Sequence, residues 1–155
     1  MGYTHYWKIP GCHTAAWQRA WVQLVADTHH MIETAGIELC GNYLVENDRH
    51  EDLIPPLVSV EEGIAINGIE DDGHELFEMS RGIPRFQCCK TARKPYDVVV
   101  CCVLLRAWML APGCIEVSSD GRWDDELEWM RARELYVRVW PGDIIVRPPE
   151  IEEGC

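Results

Sequence analysis

The sequence predicts an α+β fold, and three observations carry that prediction. A helix-period stripe of apolar residues runs through 15–34. Two strand-like runs are joined by Asp71-Asp72-Gly73, a hairpin signal. A long apolar run over 98–105 precedes a second amphipathic stretch near the C-terminus. Together they predict a single globular domain, residues 1–147. It would hold a mixed or antiparallel sheet with about three helices packed on one face. The remainder, 148–155 (PPEIEEGC), is expected to be a mobile tail.

The elements follow in order. Residues 2–9, GYTHYWKI, read as a strand with Tyr3, His5 and Trp7 on one face, ended by Pro10-Gly11. Thr14 fits a helix N-cap before Ala15–Thr34. The apolar stripe there is Trp17, Trp21, Leu24, Val25, Thr28, Met31 and Ile32, with Gly36 at the C-cap. A strand is expected within Ile37–Val45 and a loop over Asn47–Pro56. Ser59–Ile69 and His74–Ser80 are expected to pair as strands. Gly82–Gln87 reads as a connector or edge strand.

The valines of the next segment suit a strand, but its length favours a buried helix from about Pro95 to Leu110. Pro95 would occupy its first position, and Pro112-Gly113 end it. Cys114–Ser118 reads as a strand and Ser118-Ser119-Asp120-Gly121 as a turn. Asp124–Val139 reads as a helix opened by acids and closed by arginines, with Leu127, Met130, Leu135 and Val139 inward. Asp143–Val146 is expected to add a short strand.

Composition excludes several functions. A net charge of −12 and a pI near 4.8 do not suit sequence-independent nucleic-acid binding or an anionic membrane surface. The apolar run 98–105 stops at Arg106, short of a membrane span. The N-terminus lacks the layout of a secretory signal, so a cytoplasmic protein is expected. The eight cysteines include two adjacent pairs in or beside apolar runs, and are expected to be reduced core thiols.

No metal or cofactor is expected. Cys-x-x-Cys and His-Glu-x-x-His are missing, and the neighbours Cys12-His13 and His29-His30 cannot easily converge on one ion. No Gly-x-Ser-x-Gly or phosphate-cradling glycine loop is present, so no catalytic residue is assigned.

The positive charge is unevenly placed. Residues 81–106 hold Arg81, Arg85, Lys90, Arg93, Lys94 and Arg106 against Asp97 alone. The octapeptide KTARKPYD, 90–97, puts three of these cations at the expected start of a buried helix. Unpaired N–H groups and a partial positive charge there suit a phosphate or carboxylate. Thr91 and Tyr96 add hydroxyl donors. Asp97 complicates the site, because it can cap the helix itself. The plainer alternative is a solvated basic loop paired with acids elsewhere.

Other candidates are weaker. Asn67, His74 and Glu75 are polar residues in strand-like sequence, either an acid/base set or the wet face of a hairpin. Tyr3 and His5 could line an aromatic wall for a base, or form a core strand with one hydrogen-bonded histidine. Ser119 would line the basic site if its strand lies beside the helix start.

The stretches GYTHYW, CKTARKPYD and SSDG followed by Trp resemble a family of short uncharacterised bacteriophage and bacterial proteins. The resemblance implies a phage or bacterial cytoplasmic setting, host cytoplasm if phage-encoded, and no assigned activity.

The leading expectation is a non-catalytic binder of a small anionic, nucleotide-like molecule, such as a phage protein that sequesters a signalling nucleotide. Lys90, Arg93 and Lys94 would hold phosphate, and Tyr3, His5 or Tyr96 would meet the base. One alternative is an acidic inhibitor that mimics DNA or docks on a basic host protein, motivated by the acids at 61–62, 70–72, 124–128 and 150–153. Another is a nucleotide hydrolase using His74, Glu75 or Asp120. Self-association is left open.

Overall fold

The computed structural model describes residues 2–41 and 54–154. The chain order is β1 (Thr4–Lys8), α1 (Ala15–Ala35), β2 (Leu39–Cys40), β3 (Leu57–Ser59), β4 (Gly63–Gly68), β5 (Phe77–Met79), β6 (Gln87–Lys90), α2 (Asp97–Leu110), β7 (Glu116–Ser119) and α3 (Trp129–Val139). This is the α+β class that the sequence predicts, and every strand pairing in it is antiparallel. One sheet has the order β6-β1-β7; in the other, β4 pairs with β2, β3 and β5.

α1 forms where its stripe and caps place it. The Thr14 hydroxyl accepts the Trp17 N–H at 3.1 Å, and Gly36 closes the helix at φ 63°. Trp17 and Trp21 are fully buried, and their indole N–H groups donate to the carbonyls of Arg81 and Val60. α2 is the central helix. It packs against α1, α3 and β7, and from Val99 to Leu105 no side chain reaches solvent. A helix that is apolar on all sides must lie inside the fold, which is why its valines do not make a strand. It begins two residues after Pro95, which lies in the preceding turn.

Several boundaries differ from expectation. The expected strand 59–69 is broken by a turn at 60–62, so β3 and β4 form their own hairpin. Gly63 permits this with φ 106°, and a Cβ there would lie 2.8 Å from the Met79 carbonyl. β4 and β5 do pair, with Ile66 opposite Phe77, but a 3₁₀ turn at Glu70–Asp72 replaces a tight Asp-Gly turn. β6 extends beyond the expected connector as an edge strand. Its sequence, QCCK, has no alternation to announce it.

α3 begins at Trp129 rather than Asp124. Asp125 and Glu128 instead hold the turn before it, accepting the N–H groups of Leu127 and Arg122. The face turned inward is therefore Trp129, Ala132, Leu135 and Tyr136, while Leu127 is exposed. Residues 143–146 are not a strand; Asp143 is drawn to Arg106 and Tyr136 instead. The expected mobile tail is seated on the body. Ile151 is fully buried, the Glu152 carbonyl accepts the Trp123 N–H at 2.8 Å, and Arg147 donates to the Ile151 carbonyl. The rest of the expected 37–45 strand and most of the 47–56 loop lie outside the described residues. Cys12, Cys40, Cys89, Cys101, Cys102 and Cys114 are buried free thiols, but Cys88 is exposed. Among the described residues, no helix is long and apolar enough to cross a membrane.

Candidate functional site

The KTARKPYD segment wraps over the start of β1 before α2 begins. Ala92 and Arg93 both take left-handed backbone, φ 53° and 56°. The Ala92 N–H donates to the Tyr3 carbonyl, Lys94 N–H to the Thr91 carbonyl and Asp97 N–H to the Lys94 carbonyl. These bonds deliver Asp97 into the core as the first residue of α2, with none of its surface exposed.

Asp97 is the centre of a buried polar network. Its Oδ1 accepts from His5 Nε2 at 2.6 Å and from Thr91 Oγ1 at 2.5 Å. Cys101, one turn along α2, lies 3.2 Å from the same His5 nitrogen and 3.6 Å from Asp97 Oδ1. Ser119 Oγ meets His5 Nδ1 at 2.8 Å. That oxygen already accepts the Gly121 N–H at 2.8 Å and the Trp129 indole N–H at 2.9 Å. Both its lone pairs are therefore used, and its proton goes to His5 Nδ1. This assigns the imidazole proton to Nε2, where it bonds Asp97. Tyr3 and Trp129 pack edge-on against the His5 ring at 4.9 and 5.4 Å between centroids.

Burial pushes the Asp97 carboxyl up, but hydrogen bonds from His5 and Thr91 and the Arg131 charge outweigh it and hold the group below its ordinary value. Arg131 Nη2 lies 3.8 Å from Asp97 Oδ2. Burial first, and the Asp97 charge second, push the Cys101 thiol well above its ordinary value. Burial and the nearby Cys101, Asp97 and Glu128 also raise Tyr3.

His5, Asp97 and Cys101 are the cluster, among the described residues, whose donor atoms lie close enough to share a metal ion. The hydrogen bonds fit a metal-free network better. Nε2 and Oδ1 are 2.6 Å apart, a hydrogen-bond separation. Ligation through Nε2 would move the ring proton to Nδ1, where Ser119 Oγ already takes two donors. The Ser119–His5–Asp97 order also resembles a nucleophilic triad. The serine has no spare lone pair, however, and His5 is 0% exposed, so the base is closed to a substrate.

Around this core lies a charged rim. Arg93 donates from Nε and Nη2 to Glu128 Oε1 at 3.2 and 2.8 Å and lies over the Tyr3 ring at 4.3 Å. Glu128 Oε2 accepts the Arg122 N–H at 2.6 Å. The end of β6 is clasped from the other side. The Lys90 N–H donates to Glu75 Oε2, and its carbonyl accepts the Glu75 N–H and meets His74 Nδ1. The side chains of Lys90 and Lys94 form no ion pair among the described residues.

The structure therefore divides the predicted site. Tyr3, His5 and Thr91 come together around Asp97 as interior groups, and half-buried Ser119 joins them through His5. Tyr96 is buried too, but its hydroxyl donates to the Glu75 carbonyl at 2.6 Å, so neither it nor Tyr3 nor His5 presents a face to a base. Lys90, at the end of β6, and Lys94 are half-buried outside the network, and exposed Arg93 is already paired. The hairpin candidates are tied up as well. Buried Asn67 clasps the turn through the N–H and carbonyl of His74. Asp120 accepts from the Thr4 N–H and the Tyr6 hydroxyl. Sequence reasoning missed Cys101, Glu128, Trp129 and Arg131. For Cys101 a signal existed, its one-turn spacing from the lone acid Asp97; the others come from a distant helix and the turn before it.

The three stretches GYTHYW, CKTARKPYD and SSDG thus meet at one place. Comparison with protein families, curated proteins and solved structures finds no match for the chain.

Proposed function

We propose that the protein is a non-catalytic binder of a small anion bearing phosphate, a nucleotide being the class to test first, with Lys90 and Lys94 as its cationic contacts. One observation carries this reading: both ammonium groups lack a carboxylate partner among the described residues of a chain with 26 acids. The nearby acids are engaged elsewhere, Glu128 with Arg93, Asp97 with His5 and Thr91, and Glu75 with the Lys90 backbone. The left-handed backbone at Ala92 and Arg93 supports it, since such conformations cluster at ligand sites. The reading is narrower than the sequence suggests. The base contacts are withdrawn because Tyr3, His5 and Tyr96 are interior.

The test is thermal unfolding against mono-, di- and cyclic nucleotides and pyrophosphate. A ligand bound only by the native state raises the midpoint, by about 2.7 kcal/mol of stability at a hundred times its dissociation constant. The expected result is a rise with at least one compound, lost in the Lys90→Glu/Lys94→Glu double variant. No rise with any compound refutes the reading.

A further inference from the structure

The solvent-facing side of α3 is built like an interface. With Trp129, Ala132, Leu135 and Tyr136 inward, the opposite side carries Met130, Glu134 and Val137, flanked by Arg133 and Arg138. A surface helix normally turns charged and polar residues to water. Here two apolar side chains stand there, and Ile145 from the segment after the helix joins them. These residues line a shallow trough of about 520 Å³. Ile144 and Val146, the chain neighbours of Ile145, are 86% and 54% exposed, and Val137 on the helix itself is 47% exposed. Apolar side chains exposed in a trough with a charged rim mark a contact site.

The charges in the trough point to the occupant. Arg133 is neutralised by Asp124 at 2.8 Å. Glu134 has no ion-pair partner among the described residues. Arg138 gives one N–H to the Thr34 carbonyl and has no carboxylate partner either. One unpaired acid and one unpaired base, a helical turn apart on the same exposed face, form a self-complementary pattern. A two-fold axis that sets α3 antiparallel to a second α3 brings Glu134 opposite the other copy's Arg138, and Arg138 opposite its Glu134. The same operation places Val137 against its own copy near the axis, as an isologous contact requires.

We propose that this face is where two copies of the chain associate, α3 against α3, with two symmetric Glu134–Arg138 pairs flanking an apolar centre at Val137. The proposal is independent of the anion seat, which lies on the loop before α2.

Sedimentation equilibrium of the full chain and three variants tests it. The wild type is expected to dimerise. Glu134→Arg and Arg138→Glu should each raise the dissociation constant at least about tenfold, since each replaces two attractions by two repulsions. The double variant Glu134→Arg/Arg138→Glu should recover the wild-type constant. Overall charge cannot mimic this pattern, because Glu134→Arg alone makes a chain of net charge −12 less acidic and would otherwise favour association. Both positions are exposed, and a cooperative unfolding transition in each variant will show that it folds. A wild type that stays monomeric at its highest soluble concentration overturns the proposal. So does a dimer that the single variants leave intact, or one that the double variant fails to restore.

Discussion

Arg106 sits in the most apolar helix of the protein, with its side chain only 11% exposed. Its Nε donates to Asp27 Oδ2 at 2.7 Å, and Nη1 donates to the Tyr136 hydroxyl at 2.7 Å and Asp143 Oδ2 at 3.0 Å. The guanidinium lies over the Trp140 ring at 4.0 Å. One side chain thus ties α1, α2, α3 and the segment after α3. Arg106→Ala leaves Asp27, itself 3% exposed, as a buried charge without its partner. The expected loss is about 3 kcal/mol, read from urea unfolding. Arg106→Lys should recover only part of it, because an ammonium lacks the fork that reaches both helices. In the sequence Arg106 reads as the residue that ends an apolar run and as one cation of the basic segment 81–106. Its partners stand 79, 30 and 37 positions away, beyond any local pattern. Asp97 was more legible: it is the one acid of a basic segment, and its capping position raises the question that its burial answers.

At the scale of elements, legibility follows how local the determinants are. α1 is written in its own residues: a stripe at helical spacing, Thr14 before it and Gly36 after it. Thr14→Ala should therefore lower stability by about 1 kcal/mol, measurable as a lower denaturation midpoint, since the Trp17 N–H loses its acceptor. α2 was legible through length and continuity of apolar residues. α3 was legible as a helix with Leu135 and Val139 turned inward, but not in its start or in the rest of its inward face. Acids at 124–128 look like a first turn, and only Glu128's bonds to Arg93 and to the Arg122 N–H show that they build the turn before it. The edge strand expected within Gly82–Gln87 was placed too early, because a strand four residues long depends on β1 for its pairing and on Glu75 for the cover at its end.

At the scale of the whole molecule, the buried ionisable groups set limits on both sides of neutral pH. Asp97 is held below its ordinary value of 3.8, so its contribution is present above that pH and fades as the pH falls below it. The thiols act in the opposite sense. Burial pushes Cys101 and Cys102 far above their ordinary 9.0, and burial with Glu75 pushes Cys89 up to about 12. The unfolded chain releases these protons first, so stability is full below 9.0 and declines above it. Thermal midpoints across pH should form a plateau between the two limits. In Asp97→Asn the acid-side decline should shrink, and in Cys101→Ser/Cys102→Ser the alkaline one.

By itself the sequence determined the fold class, the long first helix, the buried central helix and the segregation of positive charge onto 81–106. These rest on periodicity, caps and composition, which act over a few residues. Only the tertiary structure decided that GYTHYW, KTARKPYD and SSDG share one network, that Tyr3, His5 and Tyr96 are interior, and that Lys90 and Lys94 have no carboxylate partner among the described residues. The reason is that burial and pairing are properties of positions in space. A histidine at position 5 and an aspartate at 97 become partners only when β1 lies across the start of α2.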